Sequence, residues 1–334
     1  MVRFLRPRAW ESVFVMNILF VTSSRIGDAV LSTGVLDHLV CEHPDARITI
    51  ACGPVAAPLF EAVPNLSRII VMEKKPLALH WLKLWAMCVG GYWSLVVDLR
   101  ASALAWFLPA RRRRVLGTSR ELVHRVRRLS DLFGLDEPKA PRLWTAPRHE
   151  EEAARLMPAD EPVLALSPTA NWRGKQWRAE NFTALAERLT GPRGILPGAP
   201  VAVFGAASER PAARPVIDAI PRQRRVDLVG KVDLLTAFAC LKRCAFFVGN
   251  DSGLMHIAAA ARVPTLGLFG PSRVEHYAPW GEHAAVARTA IPYDELFPPG
   301  YVPRPTDALM DSLSVDTAEA AARALWRRCR GLAA

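Results

Sequence analysis

Short runs of apolar residues alternate along the chain with longer segments in which apolar residues recur every three or four positions. The short runs have strand length and are typical of strands buried on both faces, whereas the longer segments have the period of amphipathic helices. Strands that alternate with helices predict parallel sheets covered by helices. The predicted strands of the first half are 18–21, 48–51, 68–71, 95–98 and 113–116.

The polar, proline-bearing segment 135–161 separates this series from a second one, with predicted strands at 163–166, 201–204, 226–228, 246–248 and 265–268. We therefore predict an α/β protein with two Rossmann-like parallel-sheet domains, at 16–150 and 160–315. The two domains are expected to face each other across a cleft, with ligands at the carboxyl ends of the strands. Residues 316–334 predict a C-terminal helix capped by Asp316 or Thr317.

Residues 1–15 are predicted to be an N-terminal extension. Its arginines and the apolar run that follows imitate a secretory signal, but no small-residue cleavage site comes after them. The apolar region 77–99 contains His80, Lys83 and a Gly-Gly pair, so it is too interrupted to span a bilayer. The proline-rich segment 291–305 has the composition of an insertion beside the cleft.

Composition adds a constraint on partners. The chain has 334 residues and is 51% hydrophobic, which is enough for two cores. Its formal charge of +11 favours a phosphate-rich partner, whether a nucleotide, an anionic lipid headgroup or a nucleic acid. The six cysteines include no Cys-x-x-Cys pair, so we expect a reduced, cytoplasmic compartment.

The segment 246–260 is the most informative part of the chain. A buried strand is interrupted at Gly249, passes through the polar turn Asn250-Asp251-Ser252-Gly253, and continues as an alanine-rich helix that carries His256. Backbone N–H groups at such a helix start, together with the helix dipole, bind anions. The predicted anion is the diphosphate of a nucleotide sugar. His256 is either an active-site residue or a core histidine, and Asp251 is expected to orient the turn or bind a donor hydroxyl.

A second polar segment, 22–30, follows the first predicted strand directly. Gly27 permits a tight turn, and Asp28 is expected in the first turn of the next helix, at the lip of the cleft. A carboxylate at that position can act as a general base, or it can only cap the helix and complement its dipole. The segment has neither the Gly-x-Gly-x-x-Gly nor the Gly-Lys-Ser/Thr pattern of common nucleotide sites.

Two further loops leave strands of the second half. The loop 167–177 carries Thr169, Asn171 and Lys175, whose polar groups can hold phosphate oxygens, although loop lysines are commonly only solvated. Glu209 follows the next strand. It can accept hydrogen bonds from a ribose diol or cap the helix that begins there.

These four segments resemble the bacterial ADP-heptose:lipopolysaccharide heptosyltransferases, which form glycosyltransferase family 9 and are inverting enzymes of the GT-B fold. The resemblance runs from Met16 to about Gly281. It is most specific in Gly-Asn-Asp-Ser-Gly-Leu-Met-His from Gly249 and in Pro-Thr-Leu-Gly-Leu-Phe-Gly-Pro from Pro264. Ile-Gly-Asp at 26–28, Lys-x-Trp at 175–177 and Leu-Val-Gly at 228–230 support it, as does the strand 92–100 that leads to segment 111–117.

The resemblance implies that the first half binds the acceptor and the second half binds the nucleotide-sugar donor. Asp28 matches the position of the proposed catalytic base, which would deprotonate an acceptor hydroxyl for attack on the anomeric carbon. Lys175 and the turn 250–254 would take up the charge of the leaving diphosphate. The predicted donor-binding residues are Thr169, Asn171, Lys175, Glu209, Asn250, Asp251, Ser252, Gly253, Leu254 and His256.

We predict no metal site, because no Asp-x-Asp motif occurs in the chain. We also predict no cofactor; the resemblance implies an ADP-linked nucleotide sugar as the co-substrate. Asn171 and Trp172 stand where some heptosyltransferases place hydroxyl residues, so another nucleotide sugar remains an alternative donor. A non-catalytic nucleotide-binding module is a second alternative. A nucleic-acid-binding protein ranks last, because no groove-reading or basic–aromatic motif is present.

The cluster 111–114 and the arginines at 120, 125, 127 and 128 concentrate positive charge in the first half. The cluster either contacts a lipid-linked oligosaccharide acceptor and an anionic membrane surface or is a solvated surface. The predicted acceptor- or membrane-facing residues are Arg25, Arg111, Arg112, Arg113 and Arg120. We expect a monomer in the cytoplasm, peripheral to the inner face of the bacterial inner membrane.

Overall fold

The computed structural model describes residues 15–297, 300–302, 304 and 308–332. The predicted N-terminal extension, residues 1–15, lies outside the described residues except for Val15. Part of the proline-rich segment 291–305 lies outside them as well. Within the described ranges, no helix has both the length and the hydropathy that crossing a bilayer requires.

The first half contains a five-stranded sheet in which all neighbouring strands are parallel. Its strands are β1 (Asn17–Val21), β2 (Arg47–Cys52), β3 (Leu66–Val71), β4 (Trp93–Asp98) and β5 (Ala110–Val115). The order is β3-β2-β1-β4-β5. The central strand β1 is apolar from Ile18 to Val21 because helical segments cover both faces of the sheet.

The second half contains a six-stranded parallel sheet in the order β11-β10-β9-β6-β7-β8. The strands are β6 (Val163–Ser167), β7 (Val201–Val203), β8 (Arg225–Asp227), β9 (Cys244–Asn250), β10 (Thr265–Phe269) and β11 (Ala284–Arg288). The prediction of two parallel sheets is confirmed. Strand β11 was not predicted from the apolar runs.

The described residues contain eleven α-helices. Those of the first half and the connection are α1 (Ile26–Glu42), α2 (Leu79–Cys88), α3 (Arg125–Asp131) and α4 (Pro147–Leu156). Those of the second half are α5 (Ala179–Thr190), α6 (Arg210–Ala219), α7 (Leu234–Leu241), α8 (Gly253–Ala260), α9 (Val274–Tyr277), α10 (Tyr293–Leu296) and α11 (Val315–Leu332).

One apolar core runs through both halves. It joins Phe20 of β1 and Val30 of α1 to Phe247 of β9 and Met255 of α8. The outer face of each sheet is covered by a further apolar cluster of its own. The two halves are therefore packed directly against each other, with α1 beside α8 and α4 beside α7.

Helices α4 and α11 differ in detail from the sequence predictions. Helix α4 lies inside the polar segment 135–161, and its Glu150 accepts a bond from Lys242 at 2.8 Å, near the end of α7. The predicted cap of the last helix was wrong: Ser314 Oγ accepts the Thr317 N–H at 3.1 Å, so the cap precedes both Asp316 and Thr317.

Candidate functional site

The N-terminal ends of α1 and α8 meet where the two halves join. Gly27 of α1 lies against the ring of His256: a Cβ placed on Gly27 would be 2.9 Å from Cδ2. A Cβ placed on Gly253, the first residue of α8, would be 2.6 Å from Cγ2 of Ile26. These contacts leave no room for side chains at either glycine. Segments 22–30 and 246–260, which are far apart in the sequence, thus form one site.

Asp28 lies in the first turn of α1 and is half-buried. The N-cap residue is Arg25, so Asp28 is not the cap, although its charge complements the helix dipole. Asp28 also lines a cavity of about 360 Å³ whose walls come from both halves. The other lining residues are Ser23, Leu99, Arg100, Ala101, Leu116, Gly117, Thr118, Ser119, Arg125, Arg128 and Tyr277.

Arg125, at the start of α3, places a guanidinium in the wall of this cavity. Its Nε is buried without a hydrogen-bond partner, and its Nη2 donates to the Leu99 carbonyl oxygen at 3.4 Å. Burial lowers the pKa of Arg125, while the nearby Asp28 carboxylate acts in the opposite direction. A desolvated cation with unused donors is a strong site for an anionic group of a ligand.

Tyr277 brings a hydroxyl from the second half into the same cavity. Burial raises the pKa of this phenol, and the nearby Asp28 carboxylate raises it further. The hydroxyl therefore stays protonated at neutral pH and can donate a hydrogen bond.

The loop that follows β4 forms another part of the wall. Asp98 is fully buried, and its carboxylate accepts bonds from the backbone N–H of Arg100 at 2.8 Å and of Ser102 at 3.0 Å. The Ser102 hydroxyl donates to the same carboxylate at 2.5 Å. These bonds fix the loop 99–102 at the edge of the cavity.

Lys175 and Asp251, both from the second half of the chain, form an ion pair in which Nζ lies 2.5 Å from Oδ2. Ser272 Oγ donates to the same oxygen, also at 2.5 Å, and Asp251 is 7% exposed. The Asp251 carboxylate, in the turn after β9, therefore holds Lys175 of the loop after β6 in a fixed orientation. A role for Asp251 in orienting the turn fits these bonds.

Asn250 joins the same two loops through its side-chain amide, which is fully buried. Its Oδ1 accepts the Trp177 N–H at 3.1 Å, and its Nδ2 donates to the Pro168 carbonyl oxygen at 2.9 Å. The amide therefore clamps the start and the end of the loop 168–177 against the end of β9.

Glu209 makes local bonds that match the capping alternative. Its Oε2 accepts the Ala206 N–H at 2.9 Å and the Thr169 hydroxyl at 2.9 Å. Thr169 and Glu209 are thus brought together at the ends of β6 and β7. Asn171 is exposed farther along its loop, and Leu254 is half-buried in the first turn of α8.

Three buried polar atoms near the ends of β6 and β9 have no hydrogen-bond partner: Ser167 Oγ, Ser252 Oγ and His256 Nδ1. Leaving such groups unpaired is costly, so their grouping at one place marks a site that a polar ligand can complete. Burial lowers the pKa of His256 to about 4, against a smaller opposite effect of Asp251. The imidazole is therefore neutral at physiological pH.

The five arginines predicted for the acceptor or membrane surface are not brought into one cluster. Strand alternation in β5 directs Arg112 to the opposite face of the sheet from Arg111 and Arg113. Arg113 donates to the carbonyl oxygens of three residues, Ala105, Leu108 and Ala110. Arg25, Arg111, Arg112 and Arg120 are exposed.

Contacts between the halves were missed by sequence reasoning. His124 Nδ1 accepts the Val126 N–H at 3.2 Å, so its Nε2–H donates to the Ala278 carbonyl oxygen at 2.9 Å. His276 Nδ1 donates to the Val123 carbonyl oxygen at 3.0 Å. Arg125 appeared in the sequence only as one of many arginines; its charge was visible there, but its burial was not.

Residues 96–295, more than half of the chain, match the family model "Glycosyltransferase family 9 (heptosyltransferase)". The lipooligosaccharide heptosyltransferase 2 of Haemophilus influenzae is 26% identical over 314 residues, which cover 82% of this chain and 88% of the relative. The lipopolysaccharide heptosyltransferase 2 of Salmonella typhimurium is 26% identical over 323 residues, covering 84% and 90%.

Two solved structures are similar over nearly their whole lengths. A glycosyl transferase of family 9 from Veillonella parvula superposes with a TM-score of 0.76 at 22% identity, covering 93% of this chain and 97% of the other. The ADP-heptose lps heptosyltransferase II of E. coli gives 0.73 at 20% identity, covering 94% and 100%. At this identity the likeness concerns the fold, and the GT-B prediction is confirmed.

Proposed function

This chain belongs to glycosyltransferase family 9, and we propose on that premise that it transfers a heptose from ADP-heptose to the core saccharide of lipopolysaccharide, with inversion. The curated relatives with high coverage are named as heptosyltransferases of lipopolysaccharide or lipooligosaccharide. The observation that carries the mechanism is the contact between α1 and α8. It brings the Asp28 carboxylate and the positive end of a helix to the same junction.

In the proposed reaction, Asp28 accepts the proton of an acceptor hydroxyl while that oxygen attacks the anomeric carbon. The bond between the anomeric carbon and the diphosphate oxygen breaks on the opposite face, so the configuration inverts. The backbone N–H groups at the start of α8 and the Lys175 ammonium receive the departing negative charge. For this role the Lys175 ammonium must turn at least one N–H group from the Asp251 carboxylate towards the diphosphate.

The unpaired Ser252 Oγ and His256 Nδ1 support a polar ligand at this junction. A neutral histidine is suited to a position beside the nucleotide sugar, because its ring can both accept and donate a hydrogen bond without carrying charge. On the acceptor side, we propose that Arg125 and Tyr277 hold an anionic group of the core saccharide. Neither the proposed base nor the charge-absorbing groups require a metal ion.

We further propose that the chain acts as a monomer at the cytoplasmic face of the inner membrane, since a lipid-linked acceptor would be presented there. The positive charge of the first half is consistent with an anionic surface. The two partners would be the nucleotide sugar and the lipid-linked oligosaccharide.

The test compares the wild-type chain with Asp28→Asn, using ADP-heptose and a delipidated core acceptor. We expect turnover to fall by about 10²–10⁴-fold, while calorimetry shows an unchanged Kd for ADP-heptose. Asp45→Asn, at an exposed acid after α1, is the control and should retain full turnover. Turnover in Asp28→Asn close to that of wild type would rule out Asp28 as the base. The anomeric proton of the product, observed by NMR, reports inversion.

A panel of ADP-, GDP- and UDP-sugars, compared by the increase in unfolding temperature that each causes, identifies the donor. Stabilisation against heat by ADP-heptose alone would support the proposed donor, and stabilisation by another sugar nucleotide would favour the alternative within the same fold. Binding of ADP without transfer to any acceptor would indicate a non-catalytic module.

A further inference from the structure

Helix α2 exposes an apolar outer face. It buries only Leu84 and Cys88 of its ten residues against the sheet. Leu79 is 47% exposed, Leu82 is 59% exposed and Met87 is 42% exposed. The outward face of a surface helix is ordinarily polar. A helix with apolar side chains on both faces requires a second covering surface in addition to its own sheet.

The apolar surface continues beyond the helix on both sides. Leu77 precedes α2, is 92% exposed and has a positive φ of 51°, a conformation that residues other than glycine seldom adopt. Trp106 and Phe107 are 66% and 68% exposed in the adjacent 3-10 turn. Trp85 Nε1 donates to the Phe107 carbonyl oxygen at 3.0 Å and fixes this turn beside α2. We call this surface the α2 patch: Leu77, Leu79, Leu82, Met87, Trp106 and Phe107.

The segment around the α2 patch is strongly basic. Residues 68–114 include nine Lys or Arg and two acids. One of the acids, Asp98, is fully buried and hydrogen-bonded. Lys74, Lys75 and Lys83 are exposed next to the patch. Apolar and aromatic side chains with a cationic rim are typical of surfaces that insert into the interfacial region of anionic bilayers.

Helix α2, which carries part of the α2 patch, also approaches the cavity that Asp28 lines. Arg100 lines the cavity together with Asp28, and its guanidinium lies 5.7 Å from the ring centroid of Trp81 in α2. A membrane that covers the patch would therefore bring a lipid-linked saccharide close to the cavity. Contact with a second copy of the chain is less compatible with the charges, because a symmetric contact would bring the same lysines of both copies together.

We infer that the α2 patch inserts into the interfacial region of an anionic lipid bilayer and so presents the lipid-linked acceptor to the cavity. This inference rests on the proposed function for the identity of the acceptor. The inserted side chains bind by removal of apolar area from water, and the surrounding lysines add attraction to the headgroups.

The first experiment measures co-sedimentation of the full chain with vesicles of phosphatidylethanolamine that contain one-quarter phosphatidylglycerol. The wild-type chain should bind. Leu82→Ser should lower the partition coefficient at least about threefold, and Leu79→Ser/Leu82→Ser at least about tenfold. Val55→Ser is the matched control, because Val55 is 58% exposed and Leu82 is 59% exposed. The control should bind like wild type. All of these positions are exposed, so thermal unfolding should not change.

The second experiment tests the charged rim. Lys74→Gln/Lys75→Gln/Lys83→Gln should weaken binding by about fivefold for each lysine near the surface, and high salt should abolish the difference. The control Arg222→Gln/Arg243→Gln/Arg327→Gln changes the net charge equally on the second half and should have little effect. Vesicles of phosphatidylcholine alone should bind all variants weakly.

Activity separates this inference from the proposed function. Leu79→Ser/Leu82→Ser should retain transfer to a delipidated acceptor and lose transfer to the lipid-linked acceptor in vesicles. Wild type that does not bind anionic vesicles, or equal binding of Leu82→Ser and Val55→Ser, would overturn the inference. A dimer in gel filtration that Leu82→Ser dissociates would assign the patch to a second copy and also overturn it. Vesicle binding with the expected variant pattern but without any transfer would count against the proposed function alone.

Discussion

Gly27 and His256, from opposite halves of the molecule, are in direct contact at the junction of α1 and α8. A Cβ on Gly27 would be 2.9 Å from Cδ2 and 3.4 Å from Nε2 of the imidazole. The ring is 3% exposed and cannot move aside into solvent. This contact sets the spacing between α1, which carries Asp28, and the start of α8, so the relative position of the proposed base and the proposed leaving-group site depends on the absence of a side chain at residue 27.

Gly27→Ala is therefore expected to lower both stability and activity. Overpacking at this junction should cost about 1–3 kcal/mol of unfolding free energy, and displacement of α1 should lower kcat more than it raises the KM for the donor. Urea unfolding and steady-state kinetics measure both effects. Gly90→Ala is the control, because a Cβ there meets no atom within 4 Å. A Gly27→Ala variant as stable and as active as the control would show that α1 and α8 can move apart to accept a methyl group at little cost, and would contradict this prediction.

Arg125→Gln should separate acceptor binding from stability. The guanidinium is desolvated and has an unpaired Nε, so its removal should leave the unfolding midpoint unchanged or raise it. Loss of a charge-assisted bond to an anionic acceptor should raise the KM for the acceptor at least about tenfold, with the KM for the donor unchanged. Arg127→Gln, at an exposed position of the same helix, should change neither KM. An unchanged acceptor KM in Arg125→Gln would remove Arg125 from the acceptor site.

The sequence predicted the strands of this fold well where they are central and apolar. Ile18 to Val21 and Phe246 to Val248 are buried on both faces, so hydrophobicity alone identifies them. Strand β11 escaped prediction because it lies at the sheet edge, is half-buried and consists largely of alanine. Helix α4 escaped prediction because the prolines and charges of segment 135–161 indicated a linker, whereas the one proline of the helix, Pro147, occupies the first helical turn, where proline is tolerated.

The candidate site could be predicted only as separate segments. The polar turns after β1, β6, β7 and β9 were visible as breaks between strands and helices. The pairing of Lys175 with Asp251, and the packing of Gly27 on His256, depend on the arrangement of the two halves, which no local pattern encodes. The same holds for Arg125, whose distinction from neighbouring arginines is burial. The sequence thus indicated the chemistry of each segment, but it did not indicate which segments contact each other in the folded protein.

Asn250→Asp tests the amide that clamps the lysine loop. Aspartate keeps an acceptor for the Trp177 N–H but replaces the donor to the Pro168 carbonyl oxygen with a second oxygen. The repulsion and the lost bond should lower the unfolding free energy by about 1–3 kcal/mol at pH 7 and weaken donor binding. Protonation of the new carboxyl restores a donor, so part of the loss should return at pH 5. Asn181→Asp, on α5, should show neither effect. A loss that is the same at both pH values would argue against the bond to Pro168.

We expect the buried His256 to lower the stability of the folded protein in acid. Its pKa is about 4 in the folded protein, because burial disfavours the charged ring, and 6.5 is the ordinary value. The unfolded chain therefore binds a proton below about pH 6.5 that the folded chain takes up only near pH 4. Stability from this residue is complete above that window and falls as the pH decreases through it, by up to about 3 kcal/mol.

His256→Asn removes this titration, so the difference in unfolding free energy between wild type and variant should shift in favour of the variant as the pH falls from 7 to 4. Urea unfolding at four pH values measures the difference. His283→Asn, at a half-buried histidine outside the site, is the control variant. A constant difference between wild type and His256→Asn across this range would mean that the ring has the same pKa in the folded and the unfolded chain. Burial would then not hold the imidazole neutral below about pH 6.5, and the expected loss of stability in acid would be wrong.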